Sequence, residues 1–393
     1  MNLLFFGSRF LPYRHEGDKN FWLMLVETLK RDCEHICIIS MNTDCSGDYF
    51  EFPNLRIHNV LPLPFPTRYS RFSDHSLKFL NNYGSKSISL LKNLGQVNRI
   101  IEEENSHVMH FIDNYGPVMT LLKRKSMPPL SIFAPTYNPS HQFYDDFLKA
   151  SLLPFTKVIT TTYAFKRKLV DLGLADEKVE VIRWGVDTNK LKPNRSMMEE
   201  TREKLGISPC SKIILWSGFL QQIGFRELQY SLKIADETLK QNNNCTFIFA
   251  LKNVHFRKEY LNYEKKGIRL LSTKSNADFL KLVNASDAFL SPILSMNSIV
   301  APPLTWIECM ACGVPIITTN AGGSDELVLD GHTGYLFNTI KEASQKIQTI
   351  LTNENLHRTI SEAARKKVCM EYDIRGIANK YLNVWKQMAE WRR

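Results

Sequence analysis

Short runs of consecutive apolar residues recur along the chain, separated by stretches of ten or more residues with helical spacing. In the first half the runs are Leu3–Phe6, His35–Ser40, His107–Ile112, Leu130–Ala134, Lys157–Thr161 and Val179–Arg183. In the second half they are Ile213–Ser217, Thr246–Ala250, Ile268–Leu271, Ala288–Ser291, Pro315–Thr319 and Tyr335–Phe337. A continuous apolar run of strand length must be covered on both faces, and crossover helices do this, so the pattern predicts parallel sheets. The series restarts near residue 212, which predicts an α/β chain of two doubly wound domains. Between the two series, Trp184-Gly185-Val186-Asp187 and Lys190-Leu191-Lys192-Pro193 lead into a polar helix that closes at Gly206, a joint punctuated by Gly and Pro. The expected division is 1–190 and 191–372, with 373–393 as a final helix. That helix has one apolar face made by Ile374, Ile377, Ala378, Tyr381, Leu382 and Trp385, which either finishes its own domain or crosses back to the first.

Composition narrows the class. A length of 393 residues exceeds one ordinary core, and 44% hydrophobic with 23% charged residues excludes a disordered chain. The 18 Gly and 17 Pro show no period, so collagen-like and low-complexity readings fail. No apolar run approaches the roughly 18 residues of a membrane-spanning helix. Leu3–Phe6 is a short apolar run with Arg9 and Arg14 after it, the reverse of a secretory signal, so a cytoplasmic location is expected. The eight cysteines are scattered and expected to be reduced. Only Cys309 and Cys312 have a metal-like spacing. No second pair or neighbouring histidine completes a zinc site, so small core residues explain them better and no metal is expected.

The net charge of +10 is unevenly spread. Arg56 to Ile101 holds seven basic residues against the single acid Asp74, and Arg365 to Arg393 holds eight against three. Such surfaces attract phosphate on nucleic acid, anionic lipid or a nucleotide. Within Pro62–Arg99, Phe65, Tyr69, Phe72 and Phe79 alternate with cations. The segment is either a docking surface for an anionic membrane or an extended loop followed by an ordinary amphipathic helix. No basic motif of a nucleic-acid recognition module is present, so nucleic acid is not an expected partner.

The richest stretch is Val300–Glu326. Pro302-Pro303 can open a helix, Thr305–Cys312 continues it, and Gly313 with Pro315 ends it. Glu308 is a carboxylate on an otherwise apolar or small helix and needs a partner if buried; the two adjacent hydroxyls of a ribose would serve. The strand Ile316–Thr319 then runs into Asn320-Ala321-Gly322-Gly323-Ser324-Asp325-Glu326. Paired glycines between a strand and a helix allow close backbone approach and offer N–H groups to an anion.

These residues resemble a known family. The run Glu308-Cys309-Met310-Ala311-Cys312-Gly313-Val314-Pro315, the Gly322–Glu326 turn and Asp330-Gly331-His332-Thr333-Gly334 are similar to the donor site of family 4 glycosyltransferases. Lys178–Asp187 resembles their interdomain strand and turn, Phe10-Leu11-Pro12 with Gly17 their first loop, and the last helix their crossover. The resemblance implies a GT-B fold, two Rossmann-like domains facing a cleft, and no cofactor or metal. It implies transfer of a hexose from a nucleoside diphosphate sugar of UDP or GDP type, with retained configuration. The hydroxyl acceptor would be a sugar, a lipid-linked or a small molecule, in glycan, glycolipid or glycoside synthesis. Carried over by position, Glu308 binds the donor ribose, and Gly17, Gly218, Gly322, Gly323 and Ser324 line the donor site.

Three departures from the family stand out. Its second glutamate is replaced by Val300, its diphosphate-gripping arginine and lysine by Phe219 and Ile223, and its histidine by Ile112. A departing diphosphate still needs neutralising. Arg226, just past the loop, and Lys252, at a strand end, are the candidates to replace the missing pair; otherwise they are two surface cations. Asp113 follows a strand end and could orient or deprotonate the acceptor hydroxyl, while His110 reads as a packed strand residue. The departures also leave open a GT-B protein that has lost catalysis and acts as a binding or scaffold subunit.

Overall fold

In the computed structural model the described residues are 1–7, 17–40, 53–60, 90–114, 127–137, 139, 143–218, 222–241, 244–252, 263–294, 299 and 301–390. Strand β1 (Asn2–Gly7) shows why the apolar runs become strands: every residue after Asn2 is buried, so both faces of the sheet are covered. It sits in a parallel sheet with β2 (His35–Ser40), β3 (Leu55–Asn59), β4 (Val108–Phe111), β5 (Leu130–Phe133), β6 (Lys157–Thr160) and β7 (Val179–Val181). The order is β3-β2-β1-β4-β5-β6-β7. Helices α1 (Gly17–Leu29), α2 (Leu94–Glu104), α3 (Tyr144–Leu152) and α4 (Tyr163–Asp171) alternate with these strands.

The second series repeats the plan. After α5 (Arg195–Lys204), capped by the Asn194 side chain, come β8 (Lys212–Gly218), α6 (Gln222–Gln241), β9 (Cys245–Lys252) and β10 (Ile268–Thr273). They are followed by α7 (Asn276–Ala285), β11 (Ala288–Leu290), α8 (Leu304–Ala311), β12 (Ile316–Thr319) and β13 (Gly334–Phe337). The strands form a parallel sheet in the order β10-β9-β8-β11-β12-β13. Helices α9 (Ile340–Thr352), α10 (Glu354–Glu371) and α11 (Ile374–Glu390) complete the described chain. In both sheets the winding reverses beside the first strand, between β1 and β4 and between β8 and β11, and doubly wound sheets collect ligands at such points.

All twelve expected strands form, with ends within two residues of their expected positions. Strand β3 is an addition. Its Leu55-Arg56-Ile57-His58-Asn59 mixes charge and apolar residues, as an edge strand does, and so lacks the continuous apolar run that marks the others.

The chain divides into two compact units: Met1–Gly185 with Asn297–Ala301 and Ile374–Arg393, and Val186–Met296 with Pro302–Asp373. The break thus falls at Gly185 rather than at residue 190. The Val186 N–H donates to the Tyr372 carbonyl at 2.9 Å, which ties residues just after the break to the second unit. Helix α11 belongs to the first unit, where Ile374, Ile377, Ala378, Tyr381, Leu382, Trp385 and Met388 are buried. Trp385 packs edge-on to Phe5 of β1 with centroids 5.5 Å apart, and its indole N–H donates to Ser131 Oγ at 3.1 Å. Most of the basic Pro62–Arg99 segment lies outside the described residues. No helix among those described is long and apolar enough to cross a membrane.

Candidate functional site

Helix α8 is a short apolar helix placed by its two ends. Pro303 stands at the N-cap with φ −57°, which suits the ring. Gly313 ends it at φ +78°, its N–H bonding the Met310 carbonyl at 3.0 Å, while the Val314 N–H reaches the Cys309 carbonyl at 2.9 Å. The carboxylate in this helix, Glu308, is only 9% exposed. Burial pushes its pKa up to about 7, against the charge of Lys252 and a hydrogen bond with Asn276. Lys252 is the last residue of β9 and is half-buried. Burial lowers its pKa, opposed by the nearby Glu308 and Cys309, and its Nζ lies 5.1 Å from the centroid of the Phe279 ring on α7. Three elements therefore bring together a buried carboxyl, a half-buried ammonium and the first residue of α7.

Asn276 carries no signal in the sequence. Neither does Glu227 on α6, whose carboxyl burial pushes to about 7 although the Leu294 backbone donates to it. The Glu227 environment becomes visible only when α6 and the segment after β11 are folded together. Cys309 and Cys312 are buried, and burial raises both thiols, so they are neutral core residues as expected.

The glycine-rich turn differs from its expectation. After β12 the Ala321 N–H bonds the Thr319 carbonyl at 2.9 Å, and Gly323 takes φ +88°. The chain then makes a single 3-10 turn, Ser324–Glu326, and not a helix whose N-terminus could hold an anion. The reason lies in Ser324. Its hydroxyl is buried and points back to the carbonyls of Ala321 (2.6 Å) and Thr319 (3.1 Å), which ties the turn to the end of β12. Gly323 is buried with it, and Gly322 is exposed. The Asp330–Gly334 motif is likewise a turn, with Gly331 at φ +72° and Thr333 Oγ1 accepting from the Leu329 N–H at 2.9 Å. At Gly334 a Cβ would stand 2.2 Å from the Ile316 carbonyl oxygen, so only glycine lets β13 pair there.

Gly218 closes β8 against the Trp216 ring, where a Cβ would come within 2.4 Å. Phe219 and Val300 lie outside the described residues, as does the side chain of Ile223. Arg226 is on α6 and exposed, in contrast to Lys252.

In the first unit Gly17 opens α1. Asp113 lies two residues past β4 and is buried. It sits beside β1: a Cβ on Gly7 would be 3.1 Å from Asp113 Oδ2 and 2.2 Å from the Ile112 side chain. Asp113 is thus held at the point where the first sheet reverses. His110 is packed in β4 among Phe5, Trp22, Tyr381 and Trp385, and bonds Ser131 Oγ at 2.8 Å. Burial holds its pKa down at about 3, so it stays neutral.

Residues 197–367 match the family model described as glycosyl transferases group 1. Apart from Asn297–Ala301 that span lies in the second unit, and it includes Lys252, Glu308 and the glycine-rich turn. N-acetyl-alpha-D-glucosaminyl L-malate synthase of Bacillus anthracis is 31% identical over 36% of this chain and 34% of its own length. The capsular polysaccharide biosynthesis glycosyltransferase CapM of Staphylococcus aureus is 25% identical over 56% of this chain and 58% of its own. The first curated relatives are matched over only 34% to 60% of their length. Solved structures match over nearly the whole chain. Sucrose-phosphate synthase from Thermosynechococcus elongatus superposes with a TM-score of 0.76, at 16% identity and 98% coverage of both chains. Anabaena HepE in complex with UDP does so with a TM-score of 0.71, at 17% identity, over 98% of this chain and 100% of its own. The fold is GT-B.

Proposed function

We propose that the chain is a glycosyltransferase that moves a sugar from a nucleoside diphosphate sugar of UDP or GDP type to a hydroxyl acceptor. In this reading configuration is retained and no metal or cofactor takes part. The observation that carries it is the buried Glu308 with Lys252 and Asn276 beside it, within the span that matches the group 1 model. HepE, solved with UDP and with UDP-glucose, supports a nucleotide-sugar donor by analogy.

The chemistry follows from the charges. A carboxylate that accepts from both ribose hydroxyls regains the hydrogen bonds that burial removed. Lys252 is assigned the diphosphate, because the bond to the sugar breaks as negative charge builds on that leaving group. Its partial burial strengthens the interaction relative to an exposed cation such as Arg226. Gly218 and the Gly322-Gly323 turn offer backbone without side chains to the donor. Asp113 is assigned the acceptor hydroxyl, which it would orient or deprotonate.

A panel of UDP- and GDP-sugars tested by thermal denaturation checks this reading. A ligand bound only by the native state raises stability by RT ln(1 + [L]/Kd), so saturating donor should raise the melting temperature for one base and not the other. No rise with any nucleotide sugar would oppose the proposal.

A further inference from the structure

Away from the proposed donor site, the first unit holds a mixed cluster of metal-ligand types. Glu104, the last residue of α2, is buried although it is a carboxylate. Its Oε2 accepts from His35 Nε2 at 2.6 Å, and its Oε1 from His58 Nε2 at 2.7 Å and from the Arg56 guanidinium at 3.0 Å. Burial works against the carboxylate, but these hydrogen bonds outweigh it and hold its pKa below the ordinary value. His35 and Cys37 lie two residues apart on β2, on one face of the strand. Arg56 and His58 lie two apart on β3, paired in parallel register with Cys37 and Ile39. Strand pairing thus brings His, Cys and His to the same sheet surface under the end of α2. One donor atom each from Cys37, His58 and Glu104 lie within 4.8 Å of one another.

We propose that Cys37, His58 and Glu104 form a zinc site, with His35 orienting the Glu104 carboxylate from outside. Sulfur, imidazole nitrogen and carboxylate oxygen are the ligand types of zinc, and three protein ligands leave one position for water. Ligands around tetrahedral zinc stand roughly 3.3–3.6 Å apart, so the cluster needs shifts of under about 1 Å to close on the ion.

The charges balance. Zn2+ binds the Cys37 thiolate and the Glu104 carboxylate, which together cancel its charge. The Sγ proton leaves to solvent, and His58 binds through Nε2 in the tautomer that carries its proton on Nδ1. Arg56, whose side chain is 62% exposed, releases Glu104 and returns to water. Burial raises the Cys37 thiol, so proton loss must be driven by the metal and zinc affinity should rise with pH. The ion would fasten edge strand β3 to β2 and α2. It plays no part in the sugar chemistry proposed above.

Cobalt provides the test, because a cobalt–thiolate bond has a near-ultraviolet charge-transfer band. Full-length protein, stripped by chelator, is titrated with Co2+ and then with Zn2+. The expected result is one equivalent of band intensity, displaced by zinc, present in Cys210→Ala and absent in Cys37→Ala. His58→Gln, on the partly exposed edge strand, should weaken zinc at least about tenfold, and His35→Ala by roughly 10- to 100-fold as the outer partner of a ligand. No band in the wild type, or a band that survives Cys37→Ala, would overturn the site. If Cys37→Ala does not fold, unchanged zinc affinity in His58→Gln overturns it equally.

Discussion

At the scale of single residues, Glu308 is decisive. Unbound, its carboxyl releases its proton only near pH 7, because burial penalises the charged form. A ribose diol is best accepted by the charged form. Donor binding should therefore strengthen as the pH rises from about 6 to about 8, and flatten in Glu308→Gln, which has no proton to lose there. Calorimetric titration across that range reads both outcomes. Lys252 and Arg226 make a matched comparison, since one is half-buried beside Glu308 and the other is exposed. Lys252→Ala should cost about 1–3 kcal/mol in affinity for the nucleoside diphosphate and little for the nucleoside. Arg226→Ala should change either by less than about 1 kcal/mol. Equal losses from both variants would show that the exposed cation shares the diphosphate.

Elements set where those residues stand. The turn Asp330–Gly334 brings β13 alongside β12, and Gly334 passes so close to the Ile316 carbonyl that a methyl group has no room. A backbone oxygen cannot move aside as a flexible side chain can. Gly334→Ala should therefore destabilise the chain by about 1–3 kcal/mol, read as a lower urea midpoint. A neutral result would mean that β13 pairs differently. The same contacts show how much was legible beforehand. Continuous apolar runs such as Leu3–Phe6 and Ile213–Ser217 announce buried parallel strands, because a strand covered on both faces carries apolar side chains at successive positions. Glu308 was legible as a lone acid on an apolar helix. Leu55–Asn59 was not, since an edge strand is buried on fewer sides and carries Arg56 and His58. Ser324 was misleading: a serine after two glycines resembles a helix start, and only the carbonyls of Thr319 and Ala321 show that its hydroxyl faces inward. Asn276 and Glu227 could not be read at all, because their partners are distant in sequence.

At the scale of the whole molecule, the last helix belongs to the first unit although it comes after the second in the chain. Its Trp385 is fully buried against Phe5, and Tyr381 is buried one turn earlier. Trp385→Ala should cost about 3–5 kcal/mol, and with two units the loss should fall on the unfolding transition of the first. Nucleotide binding by the second unit should survive below that transition. The central claim, that the second unit binds a nucleotide sugar through Glu308, is tested most directly by calorimetric titration of UDP- and GDP-sugars in the presence of chelator. One saturable site is expected in the wild type for one of the two bases, weakened by about 1–3 kcal/mol in Glu308→Gln. Absence of binding to the wild type, or equal affinity in the variant, would contradict the claim.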